Sequence, residues 1–143
     1  MKLDRKSTVY ITVVALIGLG IVATWRSGAD HRAVRPEEII LPDLSPEARA
    51  GKVVFDAKCA SCHGANAART DKGPPFIHDI YNPGHHADAA FYLAVQRGVR
   101  RHHWRFGDMP ALPDVTKAEV ASIIHYVREL QAANGIKYRR HSM

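Results

Sequence analysis

The hydrophobic and polar positions divide the chain into an apolar N-terminal segment, a mixed polar stretch and a body with helical periodicity. Residues 7–25 carry no charged side chain and would span roughly 28 Å as a helix, close to the thickness of a bilayer's hydrocarbon core. Residues 1–6 contain Lys2, Arg5 and Lys6, so the positive-inside rule places the N-terminus in the cytoplasm. We therefore expect a transmembrane anchor with the body on the outer side of the membrane.

A cleaved signal peptide is the alternative for this segment. Ser27, Gly28 and Ala29 are small residues that a signal peptidase would accept. The apolar run is longer than the roughly 7–15 residues of a signal peptide, which favours the anchor. Residues 26–44 then mix charges, prolines and small residues without a helical period, which predicts a linker.

The body, residues 45–135, is predicted to be all-α, with three or four helices. Ser45 followed by Pro46 is typical of a helix start, and the apolar spacing continues from there to Cys59. A second helix is expected over residues 88–98, ended by a glycine.

The last helix has the clearest pattern. Thr116 and Glu119 form a capping box, and apolar residues follow at helical spacing. Asn134 and Gly135 close the helix, and residues 136–143 form a basic tail. Long loops, residues 64–86 and 99–115, separate the helices, and loops of this length in a small body suggest that they wrap a ligand.

The chemistry is concentrated in Cys59, Cys62 and His63, which form a C-x-x-C-H motif typical of covalent haem attachment. If the first helix continues through the motif, the two cysteines project from one face and each thiol can bond one haem vinyl group. His63 follows directly and can bind the iron. In bacteria, covalent haem attachment takes place outside the cytoplasm, which agrees with an exported body.

Three other interpretations of the two cysteines remain. A thioredoxin-type dithiol requires a βαβ context, which the pattern does not show. A structural zinc site requires four ligands and the chain has no second cysteine pair, although histidines could contribute. The third is a disulfide across the two intervening residues.

The sixth iron ligand has one methionine candidate within the body, Met109, in a loop before the last helix. A thioether on a loop can reach the open haem face, and Met/His ligation favours electron transfer. The alternative is a methionine packed in the core beneath the loop.

The body resembles the class I cytochrome c family. The matching residues are Gly51, Phe55, Cys59, Cys62, His63, Gly73, Pro74, Met109, Pro110 and Tyr126. The resemblance implies one covalent haem c, iron held by His63 and Met109, and first and last helices that cross at Gly51 and Tyr126. It also implies that Pro74 offers its carbonyl to the second nitrogen of His63, although Pro75 leaves the register open.

The chain departs from the family pattern in its histidines: His78, His85, His86, His102 and His103. One of them could replace Met109 on the iron, and the two adjacent pairs could bind copper. Trp104 is a candidate donor to a haem propionate, or else a core residue. The candidates for an apolar pocket around the haem are Phe55, Phe76, Ile80, Phe91, Leu93, Val95, Leu112 and Val127.

The net charge of +6 does not indicate nucleic-acid binding, because half of it lies in residues 1–29. The body has a local group of arginines: Arg97, Arg100, Arg101 and Arg105. This group is either a solvated face or a docking surface for an acidic redox partner.

These features together predict a non-enzymatic carrier of single electrons between respiratory or other redox partners, in the periplasm or an equivalent space. It could also serve as a subunit of an oxidoreductase complex. The alternative function is a haem enzyme or a gas or peroxide sensor with an open sixth iron site.

Overall fold

The structure, a computed structural model, describes residues 38–140. The predicted anchor at residues 7–25, the segment before it and residues 141–143 of the tail lie outside this range. Within residues 38–140, no helix is both long enough and apolar enough to span a bilayer.

Four α-helices form the described body, as the sequence predicts. They are α1 (Pro46–Lys58), α2 (Ala60–His63), α3 (Asp88–Arg97) and α4 (Lys117–Ala133). Two short 3₁₀ turns, Ala65–Ala67 and Asp79–Tyr81, lie in the loop between α2 and α3. The described residues contain no strand, only an isolated bridge between Val99 and Met109.

The helix ends follow from local sequence. The Ser45 hydroxyl accepts a hydrogen bond from the Ala48 amide and caps α1. Thr116 and Glu119 make both bonds of the predicted capping box at the start of α4. Because these interactions need only residues three apart, the sequence alone could predict them.

The crossing of α1 and α4 is the main interface of the body. A Cβ atom at Gly51 would lie 1.8 Å from the Ser122 carbonyl oxygen, so only glycine permits this approach. Beside the crossing, the Phe55 and Tyr126 rings pack with centroids 5.4 Å apart, and both side chains are fully buried. The close backbone contact and the aromatic pair together fix the angle between the helices.

The body extends beyond the residues predicted for it. The predicted linker, residues 26–44, is described only from residue 38, and there it packs on α4. Leu44 is buried, and Asn134 exchanges hydrogen bonds of 2.8 Å with the backbone of Ile40. In the predicted tail, Ile136 packs against the core and Arg139 pairs with Asp79 at 3.0 Å.

The Glu129 carboxylate joins α4 to the start of α1. It accepts hydrogen bonds from the Ser45 hydroxyl at 2.6 Å and the Ser45 amide at 3.0 Å. Both bonds lower the pKa of Glu129, and the bond from the hydroxyl has the larger effect. A lowered folded-state pKa stabilises the fold above the carboxyl's ordinary pKa, and this stabilisation is lost as the pH falls through the folded-state value.

We therefore expect Glu129→Gln to reduce the free energy of unfolding by about 1 kcal/mol at pH 7. The difference from wild type should shrink as the pH falls through the lowered folded-state pKa of Glu129, because its carboxyl then becomes protonated and uncharged like the glutamine side chain. Urea unfolding at pH 7 and pH 3 measures it. Glu47→Gln, at an exposed position of α1, is the control and should cost only a few tenths of a kcal/mol. An equal cost for the two variants at pH 7 would contradict the prediction.

Candidate functional site

A cavity of about 440 Å³ opens between α2, α3 and the loop that precedes α4. Its volume falls within the range of about 300–1,000 Å³ typical of cofactor sites. Its lining includes both His63 and Met109, which lie 46 residues apart in the sequence. Of the seventeen other lining residues, eight are apolar: Pro74, Phe76, Ala90, Phe91, Leu93, Ala94, Val99 and Phe106.

The segment that carries the two cysteines does not continue α1 without a break. α1 ends at Lys58, and the Cys59 backbone, with φ −120° and ψ −33°, separates it from α2. Helical hydrogen bonds nevertheless continue across the break, from the Cys59 amide to Phe55 and from the His63 amide to Cys59. The first helix therefore continues through the motif only with a break at Cys59, and the two cysteines stay one turn apart.

His63 is buried and held by the loop that follows it. Its Nδ1 lies 2.9 Å from the carbonyl oxygen of Pro74. Since a carbonyl only accepts, Nδ1 carries the proton and donates it, which leaves the lone pair on Nε2. Burial lowers the pKa of His63, partly offset by this bond, so the ring is neutral and fit to bind a metal ion. The structure thus selects Pro74 over Pro75, the register that the sequence left open.

Met109 is positioned by backbone pairing with the end of α3. Its amide and carbonyl both bond Val99, each at 2.9 Å. The Gly98 residue permits the approach: its φ is +74°, and a Cβ there would lie 2.5 Å from the Met109 carbonyl oxygen. The Met109 side chain is half-buried and contributes to the cavity wall.

The comparison with protein families agrees with this geometry. A family model described as Cytochrome c matches residues 48–131, which is more than half of the chain and most of the described residues 38–140. This chain belongs to the cytochrome c family. No curated protein and no solved structure gives a significant match to it.

A cytochrome of this family binds covalent haem c with its iron, and Cys59 and Cys62 fit the attachment motif. The thiol chemistry also disfavours a redox dithiol. Burial, with the neighbouring Cys62 as a smaller cause, raises the pKa of Cys59 to about 11. A thioredoxin-type cysteine requires a lowered pKa, because the thiolate is its nucleophile.

Trp104 provides an independent test of whether the cavity of this cytochrome fits haem. Its indole Nε1 is buried and makes no hydrogen bond of normal geometry within residues 38–140; the Tyr81 hydroxyl lies close enough to interact with it but does not complete such a bond. The ring lines the cavity and packs against His78, with ring centroids 5.0 Å apart. A buried donor without an acceptor is costly, so a polar group of the cofactor is a suitable partner for it. The predicted bond from Trp104 to a haem propionate remains a prediction.

The apolar wall of the cavity differs in part from what the sequence predicted. Eight residues were expected there: Phe55, Phe76, Ile80, Phe91, Leu93, Val95, Leu112 and Val127. Phe76, Phe91 and Leu93 do line it, whereas Phe55 and Val127 are fully buried with the helix-crossing residues. Sequence periodicity identifies apolar positions, but it does not show whether each side chain lines the cavity or packs at the crossing of α1 and α4.

The histidines singled out in the sequence separate into two groups. His78 is buried, and its Nδ1 accepts a hydrogen bond from the Ile80 amide at the start of a 3₁₀ turn. The other four lie together at the edge of the cavity: His85, His86, His102 and His103. Burial and neighbouring positive charge lower the pKa values of His86 and His103.

The arginines of the predicted docking surface are all exposed. Arg100 and Arg101 also contribute to the wall of the cavity, so positive charge adjoins its opening. The Asp108 carboxylate accepts a hydrogen bond from the Arg101 amide at 3.0 Å and ties this loop to the segment that carries Met109. The sequence pattern did not indicate the roles of Val99 and Asp108 in holding Met109. Both roles depend on how the loop after α3 folds back, so that residues 99–101 lie beside residues 108 and 109.

Proposed function

We propose that this protein is a class I, monohaem electron carrier that passes single electrons between redox proteins at the outer face of the cytoplasmic membrane. The main support is that His63 and Met109, the two candidate iron ligands, line one cavity and are each fixed by hydrogen bonds. When bound, the haem supplies the Fe(II)/Fe(III) couple, which exchanges one electron without a bound substrate.

The ligands' surroundings suit an electron carrier. Pro74 fixes the orientation of the His63 ring, and the Val99 pairing limits the movement of the Met109 backbone. With both axial positions filled, small molecules have no open site, which distinguishes a carrier from a haem enzyme or gas sensor.

The apolar wall disfavours additional positive charge, since it excludes water around the cofactor. It therefore favours the reduced form, as does a thioether ligand. A hydrogen bond from the indole N–H of Trp104, which lines the cavity, to a propionate would hold the cofactor's polar edge in place.

The docking partner we infer is a redox protein with an acidic face. The exposed arginines Arg97, Arg100, Arg101 and Arg105 carry positive charge next to the cavity opening. Complementary charge increases the rate of encounter, and it would orient the partner toward the cofactor.

The membrane location is inferred from the sequence. An apolar, uncharged run at residues 7–25 that follows basic residues is typical of an N-in anchor. Such an anchor would hold the cytochrome near membrane oxidases or dehydrogenases and raise its effective concentration there. Membership of a larger oxidoreductase complex is compatible with the same proposal.

The Met109→Ala variant tests the proposal. We expect reduced wild-type protein not to bind carbon monoxide at neutral pH, because the thioether occupies the sixth position. The variant should bind carbon monoxide stoichiometrically, and its reduction potential should fall because the thioether is lost. Absorption spectra of the reduced protein with and without carbon monoxide, together with potentiometry, measure both effects.

Met143→Ala, which replaces a methionine near the C-terminus, is the matched control and should behave as wild type. Carbon monoxide binding by the wild type would contradict the proposal and favour an open-site enzyme or sensor. An unchanged Met109→Ala spectrum would show that another residue holds the iron.

A further inference from the structure

Four histidines meet at the edge of the cavity although they come from two separate segments. His85 and His86 precede α3, whereas His102 and His103 lie in the loop that follows it. In five of the six pairs that these four rings form, the ring centroids lie 4.2–6.1 Å apart. Three of them, His85, His86 and His103, each offer a ring nitrogen, and these three nitrogens lie within 4.8 Å of one another.

The closest pair has the spacing of two ligands on one ion. The Nε2 atoms of His85 and His103 are 3.2 Å apart. Two nitrogens bound to one tetrahedral ion at about 2.0–2.1 Å lie about 3.3 Å apart. A hydrogen bond between the His85 and His103 rings would also give this distance. Such a bond involves only two rings, however, and does not account for the nearby ring nitrogen of His86.

The orientation of His86 agrees with a metal ligand. Its Nδ1 lies 2.7 Å from the Ile80 carbonyl oxygen, so Nδ1 donates its proton there and Nε2 keeps the lone pair. His102 has the same arrangement, with Nδ1 at 2.8 Å from the Arg100 carbonyl oxygen. Metal-binding histidines commonly have their second nitrogen fixed by such a bond.

The composition of the group indicates the kind of ion. It offers imidazole nitrogens and no carboxylate, which suits Zn²⁺ or Cu²⁺ and not the oxygen-preferring Ca²⁺ or Mg²⁺. The nearby Arg128 guanidinium is paired with Asp88 at 2.9 Å, so its charge is largely offset. His103 is exposed, which gives an ion access from solution.

We propose that His85, His86 and His103 form a site for a divalent transition-metal ion, Zn²⁺ or Cu²⁺, separate from the haem iron, with His102 as a further ligand. The ion would connect the segment before α3 to the loop after it. His86 and His103 both line the cavity, so a bound ion would also hold two parts of its wall together.

The test is an isothermal calorimetric titration of the oxidised, haem-loaded protein with Zn²⁺, in a buffer that does not bind metal. We expect one saturable site per chain. His103→Gln should weaken Zn²⁺ binding at least about tenfold, and His85→Gln/His103→Gln should abolish it. Loss of the hydrogen bond that orients a metal-binding histidine already costs about 10–100-fold in affinity, and loss of the histidine itself costs at least as much. His125→Gln, at an exposed histidine of α4 outside the group, is the control and should bind as wild type does.

A second measurement does not depend on any variant. Electron paramagnetic resonance of the oxidised protein with one equivalent of Cu²⁺ should show nitrogen hyperfine structure from imidazole ligands. The proposal is overturned if wild type has no saturable site, if the double variant binds Zn²⁺ as tightly as wild type, or if the copper signal shows oxygen ligands alone. An altered haem spectrum in the double variant would also overturn it, because these histidines would then act on the iron.

Discussion

Replacing Cys59 and Cys62 together with alanine is expected to reduce covalent haem from one group per chain to none. Each thiol forms one thioether bond to the haem, and the chain contains no other cysteine that could substitute. The pyridine haemochrome spectrum, recorded before and after extraction with acidified acetone, measures this. In wild type the haem should stay with the protein through the extraction, and in the double variant it should be removed.

The single variants and a control make this test specific. Cys59→Ala and Cys62→Ala should each retain haem through one remaining thioether, with a shifted haemochrome band. Ser61→Ala, at an exposed position between the cysteines, keeps both thiols and should match wild type. Haem that resists extraction in the double variant would contradict the assignment of these cysteines.

Gly51→Ala is expected to destabilise the body by about 2–3 kcal/mol, even though alanine is the better helix former. Helix propensity alone favours alanine by about 0.5–1 kcal/mol. The added Cβ, however, would lie 1.8 Å from the Ser122 carbonyl oxygen, which is backbone and cannot rotate away. The helices must separate, and overpacking typically costs about 1–3 kcal/mol and occasionally more. Because the overlap here is with backbone, we expect a cost at the upper end of that range, which outweighs the gain in helix propensity.

Urea unfolding of the haem-loaded protein measures this effect. Ala50→Val, at the neighbouring exposed position of α1, adds more volume and should cost less than about 1 kcal/mol. Because a domain's total stability is only about 5–15 kcal/mol, Gly51→Val should also reduce the yield of haem-loaded protein. A Gly51→Ala variant as stable as wild type would show that α1 and α4 do not cross at this residue.

The helices could be predicted because their signals are local. The Ser45 cap and the Thr116–Glu119 capping box each act over three residues, and both are present as predicted. The boundary of the body was harder to predict. Leu44 is buried and Ile40 bonds Asn134, 94 residues away, in a segment whose composition indicates a linker.

The candidate site divides in the same way. Cys59, Cys62 and His63 were identified from their spacing, since covalent attachment and iron binding need only five consecutive residues. The family resemblance named Pro74 as the partner of His63, but the adjacent Pro75 left the register open. Only the fold of the loop brings the Pro74 carbonyl within 2.9 Å. The iron bond of Met109 stays a prediction, while its place in the cavity wall is a result of the structure.

The sequence by itself determined the longer helices and the haem attachment motif, because each depends on residues a few positions apart. It named Met109 as the candidate sixth ligand because no other methionine lies within the body. Only the tertiary structure decided that Phe55 and Val127 lie away from the cavity and that Val99 holds Met109. It also decided that two histidine pairs, separated by α3, meet at one edge of the cavity. The reason is physical: such contacts arise when the chain folds back on itself, and the free energy that selects them comes from burial and backbone pairing between distant segments.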